Sequence, residues 1–316
     1  MADNMNKTLT FHADLVSNLR FDDDAKAQMS NVIDIVMRSK NEGHYAQATI
    51  EGVRRQQGPW KPRVTVIDSG STDGSVELFR TLQVERLISI DRYVAGAVLN
   101  QGMRETSGDW VVFLNADATP ADDQWLSNLL AAGTAQPKTG AAFSRQLPRS
   151  DCYAIFAHDY DRCFGPERES VNWGHFFSMV SSLVYRPAWE TIPFRDDLTY
   201  AEDDEWSRRL VAAGWAVPYA EESRAIHSHN YTARQSYRRC YGDSFALAAT
   251  SPTPARNYNY HYTVALGTAK DALKDWQWCA AQGRRAEWPR AALVRLAQRL
   301  GKRDGYRAGW KHFGRG

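Results

Sequence analysis

Val64-Thr65-Val66-Ile67-Asp68-Ser69-Gly70-Ser71-Thr72-Asp73-Gly74-Ser75 decides the fold of this chain. Four β-compatible residues, Val64 to Ile67, suit a strand buried on both faces, and Asp68 follows where side chains project past a sheet's carboxyl edge. Gly70 permits a tight turn at positive φ, and Ser71, Thr72 or Asp73 is placed to cap a helix over Ser75 to Leu82. An ordinary strand-turn-helix corner uses the same residue types. Three other segments give this corner the company of a nucleotide pocket.

Upstream, Val32-Ile33-Asp34-Ile35-Val36-Met37 reads as a second buried strand, ending in Arg38-Ser39-Lys40-Asn41-Glu42-Gly43 before a helix over Tyr45 to Gln56. Arg38 and Lys40 then stand at a strand end and a helix start, where a diphosphate meets fixed positive charge and free backbone amides. Downstream, Trp110 to Leu114 forms the strongest strand in the chain, followed by Asn115-Ala116-Asp117 and stopped at Pro120. If that strand persists, Asn115 and Asp117 face the same side, and an oxygen-rich pair there suits a divalent cation carrying a diphosphate. Third, Glu202-Asp203-Asp204-Glu205 opens an apolar, helix-periodic run. The macrodipole of a helix accounts for one or two acids in its first turn; four together call for solvent, a cation or a catalytic task.

In this order the four motifs resemble the family 2 glycosyltransferases of the GT-A fold, over about Asn31 to Phe245, and Ile226-His227-Ser228-His229-Asn230-Tyr231-Thr232 resembles the bacterial rhamnosyltransferase branch. The resemblance implies an α/β nucleotide-sugar-binding domain with a mostly parallel mixed sheet flanked by helices. It implies that Asp117 holds a divalent metal, Mg or Mn, and that Asn115, standing where the family has its first Asp, approaches the ribose or the metal shell. It further implies that Asp203 is the general base with Glu202 beside it, and that Arg38, Lys40, Asn41, Glu42, Asp68, Ser69, Gly70, Gly96 and Asn100 surround the donor. His227 and His229 are the downstream metal candidates. Alternation along a strand would point them to opposite faces, so only one is expected at the metal, with His227 favoured.

Composition is compatible with this class and excludes others. With 316 residues, 43% hydrophobic, the chain can bury one good core and a smaller appended unit. A net charge of +2 gives no case for a nucleic-acid partner. Cys152, Cys163, Cys240 and Cys279 lack the spacing of a zinc or redox motif and fit a reducing cytosol. No secretory leader is visible in the polar opening residues, and no run is apolar enough to span a bilayer, so a cytoplasmic location is expected. The first strand-turn also lacks the spaced glycines of a nicotinamide-binding fold.

Three regions follow: an extension over 1–30 with an acidic Asp22-Asp23-Asp24 patch, the α/β domain over 31–250, and a helical region over 251–316. Within the domain, Trp173 to Trp189 is expected to wall the acceptor cleft. Beyond it, helices are expected over roughly Tyr260 to Gln282 and Trp288 to Leu300. From Arg284 onward cations interleave with Trp288, Tyr306, Trp310 and Phe313, a pattern suited to an anionic membrane surface and hence to peripheral attachment at its inner face. The combined expectation is an inverting, metal-dependent enzyme moving a sugar, first choice rhamnose from dTDP-rhamnose, to a saccharide or lipid-linked saccharide in bacterial surface polysaccharide synthesis. The same fold with a UDP- or GDP-sugar is the alternative, and a non-catalytic sugar-nucleotide-binding subunit is the alternative of another class.

Overall fold

The structure, a computed structural model, describes residues 31–251 and 253–314; the extension over 1–30 and its acidic patch lie outside the described residues. Eight strands form one sheet in the order β3-β2-β1-β4-β7-β6-β8-β5. They are β1 (Val32–Ser39), β2 (Lys61–Asp68), β3 (Arg86–Ser89), β4 (Trp110–Asn115), β5 (Thr119–Pro120), β6 (Ala141–Leu147), β7 (Ser181–Tyr185) and β8 (Tyr219–Ile226). β3, β2, β1 and β4 run parallel, whereas β7 lies antiparallel between β4 and β6. The carboxyl ends of β1, β2 and β4 therefore open on one edge, the edge where ligands bind in such sheets.

Helices cover both faces. Met37, Val66, Leu114 and Trp125 pack on one side, and Val36, Ile67, Phe113 and Trp206 on the other. This two-sided burial explains the unbroken apolar runs of β1, β2 and β4. The one acid inside β1, Asp34, is buried yet satisfied: Arg63 Nε donates at 2.6 Å and the amides of Ser107 and Gly108 at 3.1 and 2.9 Å. Burial alone would raise its carboxyl, and these donors instead bring it below the ordinary value.

The helices of the nucleotide edge are α1 (Gly43–Arg54), α2 (Ser75–Thr81) and α3 (Ala95–Arg104). The cap residue of α2 is Gly74, at φ 89°, which has no side chain to offer. Asp73, one of the three expected caps, accepts from Ser75 N at 3.0 Å and from Gly43 N at 3.0 Å, tying the starts of α2 and α1 together and starting α1 earlier than periodicity suggests. Next come α4 (Trp125–Thr134), α5 (Ala154–Phe164), α6 (Arg186–Thr191), α7 (Glu202–Ala212), which carries the acid cluster, and α8 (Ala233–Thr250). A reciprocal box starts α8, with Gln235 Oε1 accepting from Thr232 N and Gln235 N donating to Thr232 Oγ1.

After residue 253 the chain is helical: a π-helical stretch (Tyr260–Leu266) runs into α9 (Gly267–Ala281), followed by α10 (Trp288–His312). α10 lies along α8 because Gly301, Gly305 and Gly309 form a stripe at four-residue spacing. A Cβ at each would fall deep inside contact with the carbonyl oxygens of Tyr237, Tyr241 and Phe245. The aromatics of α10 serve this packing. Tyr306 is fully buried, its ring 3.6 Å from that of Tyr258, and Trp288 Nε1 donates to Ala272 O at 2.8 Å. The aromatic rings Trp288 and Tyr306 of the last helix are thus consumed internally, whereas Arg307 and Lys311 stay exposed.

Candidate active site

A cavity of about 570 Å³ opens at the carboxyl edge of the sheet. Arg38, Ser39, Lys40 and Glu42 from the end of β1, Ser69 after β2, Asn115 and Asp117 after β4, and Glu202 and Asp203 at the start of α7 line it. Residues more than 160 positions apart thus meet, as the strand-end motifs require.

Arg38 organises this cluster. Its Nη2 donates to Asn115 Oδ1 at 3.0 Å and its Nη1 to Glu202 Oε1 at 3.1 Å, with both charged side chains nearly buried. Ala201, the cap of α7, holds a left-handed backbone at φ 54° and turns the acids into the cavity. Such a conformation costs a non-glycine residue roughly 1 to 2 kcal/mol, a kind of strain that gathers at functional sites. Glu202 is driven up to about 7, first by burial and then by the charge of Asp203, with Arg38 pulling the other way. Burial also raises Asp203, although Met179 N and Asp204 N donate to its carboxylate at 3.3 and 2.9 Å.

A second cluster faces the first. Asp117 Oδ2 is buried and lacks a properly aligned hydrogen bond, while His227 Nε2 lies 3.4 Å and His229 Nε2 3.3 Å from it. The two histidine Nε2 atoms are 3.1 Å apart. Three donors at this mutual spacing match adjacent corners of an octahedron with bonds of about 2.1 Å, and the orphaned carboxylate oxygen is what a cation would satisfy, so these residues fit a divalent metal. Burial works to raise Asp117, but His227, His229 and Arg149 outweigh it and hold the carboxyl at about 2. Burial, then His227, pushes His229 down to about 4, which leaves a neutral ring with a lone pair to give.

The expectation that only one histidine reaches the metal is corrected. β8 ends at Ile226, so strand alternation stops before His227, and both rings turn onto Asp117. β4 likewise ends at Asn115, and Asp117 reaches the cavity from the turn that follows.

Several donor-side residues do other work. Asp68 is buried and accepts from the amides of Gly70 and Ser71 at 3.0 and 2.9 Å, so it builds its own turn; Gly70, at φ 83°, stands on the outside of that turn. Asn41 cross-ties the loops, its Oδ1 accepting from Thr72 N and its amide donating to Ser71 Oγ, each at 2.8 Å. Gly96 is where α3 touches the Arg195 carbonyl, leaving no room for a Cβ. Asn100 is buried, donating to Phe194 O and Asp196 Oδ1 and accepting from Trp189 Nε1. None of these five lines the cavity, because their polar groups or surfaces are used within the fold. From the Trp173 to Trp189 run, Val180 alone reaches the lining.

The cavity also holds residues that strand-end motifs do not announce. Tyr93 lies within 3.4 Å of Arg38. Arg239 and Asp243, one turn apart on α8, close the far wall, and burial raises Asp243 to about 6. Their i, i+4 spacing was legible, but only tertiary packing brings α8 to the site. Behind the metal cluster, Gln146 Oε1 and the Tyr160 hydroxyl each lie 2.9 Å from His227 Nδ1.

Comparison with known proteins agrees with this geometry. Residues 34–186 match the glycosyl transferase family 2 description. The O-antigen chain rhamnosyltransferase RfbN of Salmonella typhimurium is 28% identical over 239 residues, covering 72% of this chain and 75% of that protein. WbaN of Salmonella anatum, another O-antigen chain rhamnosyltransferase, is 28% identical over 208 residues, 62% of this chain and 65% of its own. Among solved structures, the mannosyltransferase PcManGT of Pyrobaculum calidifontis, in complex with GDP-Man and Mn2+, superposes with a TM-score of 0.56 at 16% identity over 93% of this chain and 96% of that one, a likeness of fold. The chain is a glycosyltransferase carrying a family 2 domain on a GT-A type fold, and it resembles the bacterial rhamnosyltransferases.

Proposed function

We propose that this enzyme transfers a sugar with inversion from a nucleoside diphosphate donor, dTDP-rhamnose first and a UDP- or GDP-sugar as the alternative, to a hydroxyl of a saccharide or lipid-linked saccharide in surface polysaccharide synthesis. The observation that carries this reading is that Asp203 and the Asp117–His229 side of the metal cluster line one cavity at the carboxyl edge of the sheet. The likeness to RfbN and WbaN, both O-antigen chain rhamnosyltransferases, supports rhamnose as the sugar.

In this mechanism Asp203 accepts the proton of the acceptor hydroxyl as that oxygen attacks the anomeric carbon, and one displacement with one base inverts the centre. Glu202 and Arg38 set the charge beside it. Asp117, His227 and His229 would hold Mg or Mn, which when bound stabilises charge on the departing diphosphate. Lys40, which lines the cavity, would meet the phosphates, and the side chains closing the cavity limit competition by water.

A panel of dTDP-, UDP- and GDP-sugars, assayed for thermal stabilisation with and without Mn or Mg, tests this reading, because a ligand stabilises only the state that binds it. Stabilisation by dTDP-rhamnose that grows with metal is expected. A response to UDP- or GDP-sugars alone would move the donor assignment, and no response to any of the panel would overturn it.

A further inference from the structure

The helical region carries an exposed feature that the active site does not use. Tyr262, Leu266, Ala269, Leu273 and Trp276 follow one another at spacings of 4, 3, 4 and 3 residues along the π-helical stretch and α9. That spacing puts them on one face. The face is open: Tyr262 is 71% exposed, Leu266 58%, Leu273 57% and Trp276 46%, with Ala269 also exposed. The opposite side of the helix is the one that packs, through Val264, Asp271, Asp275 and Cys279. On the neighbouring α10, Leu293 is 59% exposed. Single exposed apolar residues are ordinary, whereas a continuous row along four helical turns marks a contact surface.

The surrounding charge indicates the kind of partner. Residues 253–314 contain twelve Lys and Arg but only four acids, Asp271, Asp275, Glu287 and Asp304. All four acids are engaged internally, by Arg299, Arg295, Arg284 and Arg303 respectively. Lys274 is taken by Glu169 of the α/β domain. Lys270, Arg285, Arg307 and Lys311 are exposed, and among the described residues no carboxylate pairs with them. Lys270 stands four residues after Leu266 and three before Leu273, within the apolar face itself. Arg285 follows the far end of α9. Arg307 and Lys311 lie beyond Tyr306, whose ring stacks on Tyr258 just before the stripe begins.

An apolar row with only cations free around it repels a second copy of itself. It is complementary to a surface that is apolar beneath and anionic above. We propose that the Tyr262–Leu266–Ala269–Leu273–Trp276 face is a docking surface for an anionic lipid bilayer, lying in the interface with Lys270, Arg285, Arg307 and Lys311 against the headgroups. Tyr262 and Trp276 sit at the two ends of the row, as rings with an apolar body and a polar edge do at a lipid boundary. No helix among the described residues is long and apolar enough to cross the bilayer, so the attachment is parallel to the surface. This places the apolar contact on the π-helical stretch and α9, with the last helix, whose aromatic rings are largely spent on packing, adding only the cations Arg307 and Lys311.

The experiment is co-sedimentation of the full chain with phosphatidylcholine vesicles, with and without phosphatidylglycerol, across a salt series and without any sugar nucleotide. Binding is therefore read independently of the proposed donor. The wild type should pellet with the phosphatidylglycerol vesicles and release as salt rises, since headgroup attraction is screened within about 10 Å at 0.1 M. Leu266→Gln with Leu273→Gln should weaken partitioning at least tenfold on the order expected for two leucines no longer inserted. Lys270→Glu should weaken it several-fold and flatten the salt dependence. All three substituted side chains are exposed, and an unchanged melting temperature confirms that the fold survives. A wild type that ignores anionic vesicles overturns the proposal, as does a double variant that pellets normally. A wild type that sediments as a dimer split by the double substitution overturns it in favour of a second copy on this face.

Discussion

Arg38 at the end of β1 and Glu202 at the start of α7, separated by 164 residues, form a nearly buried ion pair at 3.1 Å. The pair joins the donor-side edge of the sheet to the helix that carries Asp203, and the same guanidinium bridges to Asn115. Breaking a buried pair by removing one partner leaves an uncompensated charge and costs about 3 to 5 kcal/mol. Arg38→Met should therefore lower both stability and turnover. Arg38→Met with Glu202→Gln, which removes both charges, should recover more of the melting temperature than of the activity. Equal recovery of both would show that the pair only supports the fold.

Asp203→Asn should keep nucleotide affinity while turnover falls on the order of 10² to 10⁴, the usual contribution of a general base. The measurement is steady-state transfer beside nucleotide binding by calorimetry. Near-normal turnover would remove Asp203 from that role.

The pH dependence has a definite sign. Burial raises both Asp203 and Glu202, the latter from 4.5 to about 7. Because the base works ionised, kcat/KM should fall on the acid side at a higher pH than an ordinary carboxylate gives. Glu202→Gln should move that limb to lower pH, since Arg38 is then left to favour the Asp203 charge alone. For stability, a carboxyl whose folded value is raised contributes fully below its unfolded value and loses that contribution as pH climbs through the folded one. Glu202→Gln should thus gain melting temperature relative to the wild type between pH 4.5 and about 7. A difference constant across that window would contradict the raised value.

Metal affinity should depend on a residue that does not touch the ion. Gln146 Nε2 donates to Ser178 Oγ at 2.8 Å, which presents its Oε1 to His227 Nδ1 at 2.9 Å. A carbonyl oxygen only accepts, so Nδ1 carries the proton and Nε2 keeps the lone pair facing Asp117. Gln146→Leu should weaken Mn binding about 10- to 100-fold in calorimetry, and Asp117→Ala should weaken it further. Unchanged Mn affinity in Gln146→Leu would show that the ring needs no such support.

Gly305→Ala should destabilise the chain more than an exposed helical Gly→Ala stabilises one, because the added methyl meets the Tyr241 carbonyl with nowhere to go. Overpacking of this kind costs typically about 1 to 3 kcal/mol, and chemical denaturation measures it. A gain in stability would mean that α8 and α10 separate more easily than their packing implies.

The sheet and most of its ligand edge were legible because their signals are local. An apolar run of four to six residues, a terminal Asp or Asn, and a glycine or proline within a few positions state where a strand ends and which groups lie beyond it, as around Asp68, Asn115 and Asp117. The acid cluster at Glu202–Glu205 was legible for the same reason. Tertiary structure decided whatever depends on a partner distant in sequence. The two histidines converge because β8 stops one residue before His227, a boundary set by pairing with β6 rather than by the residues themselves. Asn100 and Gly96 serve the 194–198 segment because α3 packs against it, and Arg239 and Asp243 enter the cavity because three glycines let α10 hold α8 in place. The same logic applies to the C-terminal region. Sequence shows which residues are basic, aromatic or apolar, but only packing shows that Tyr306 is buried while Leu266 and Leu273 face outward. Exposure is a property of neighbours, and neighbours across a fold are not written in the local pattern.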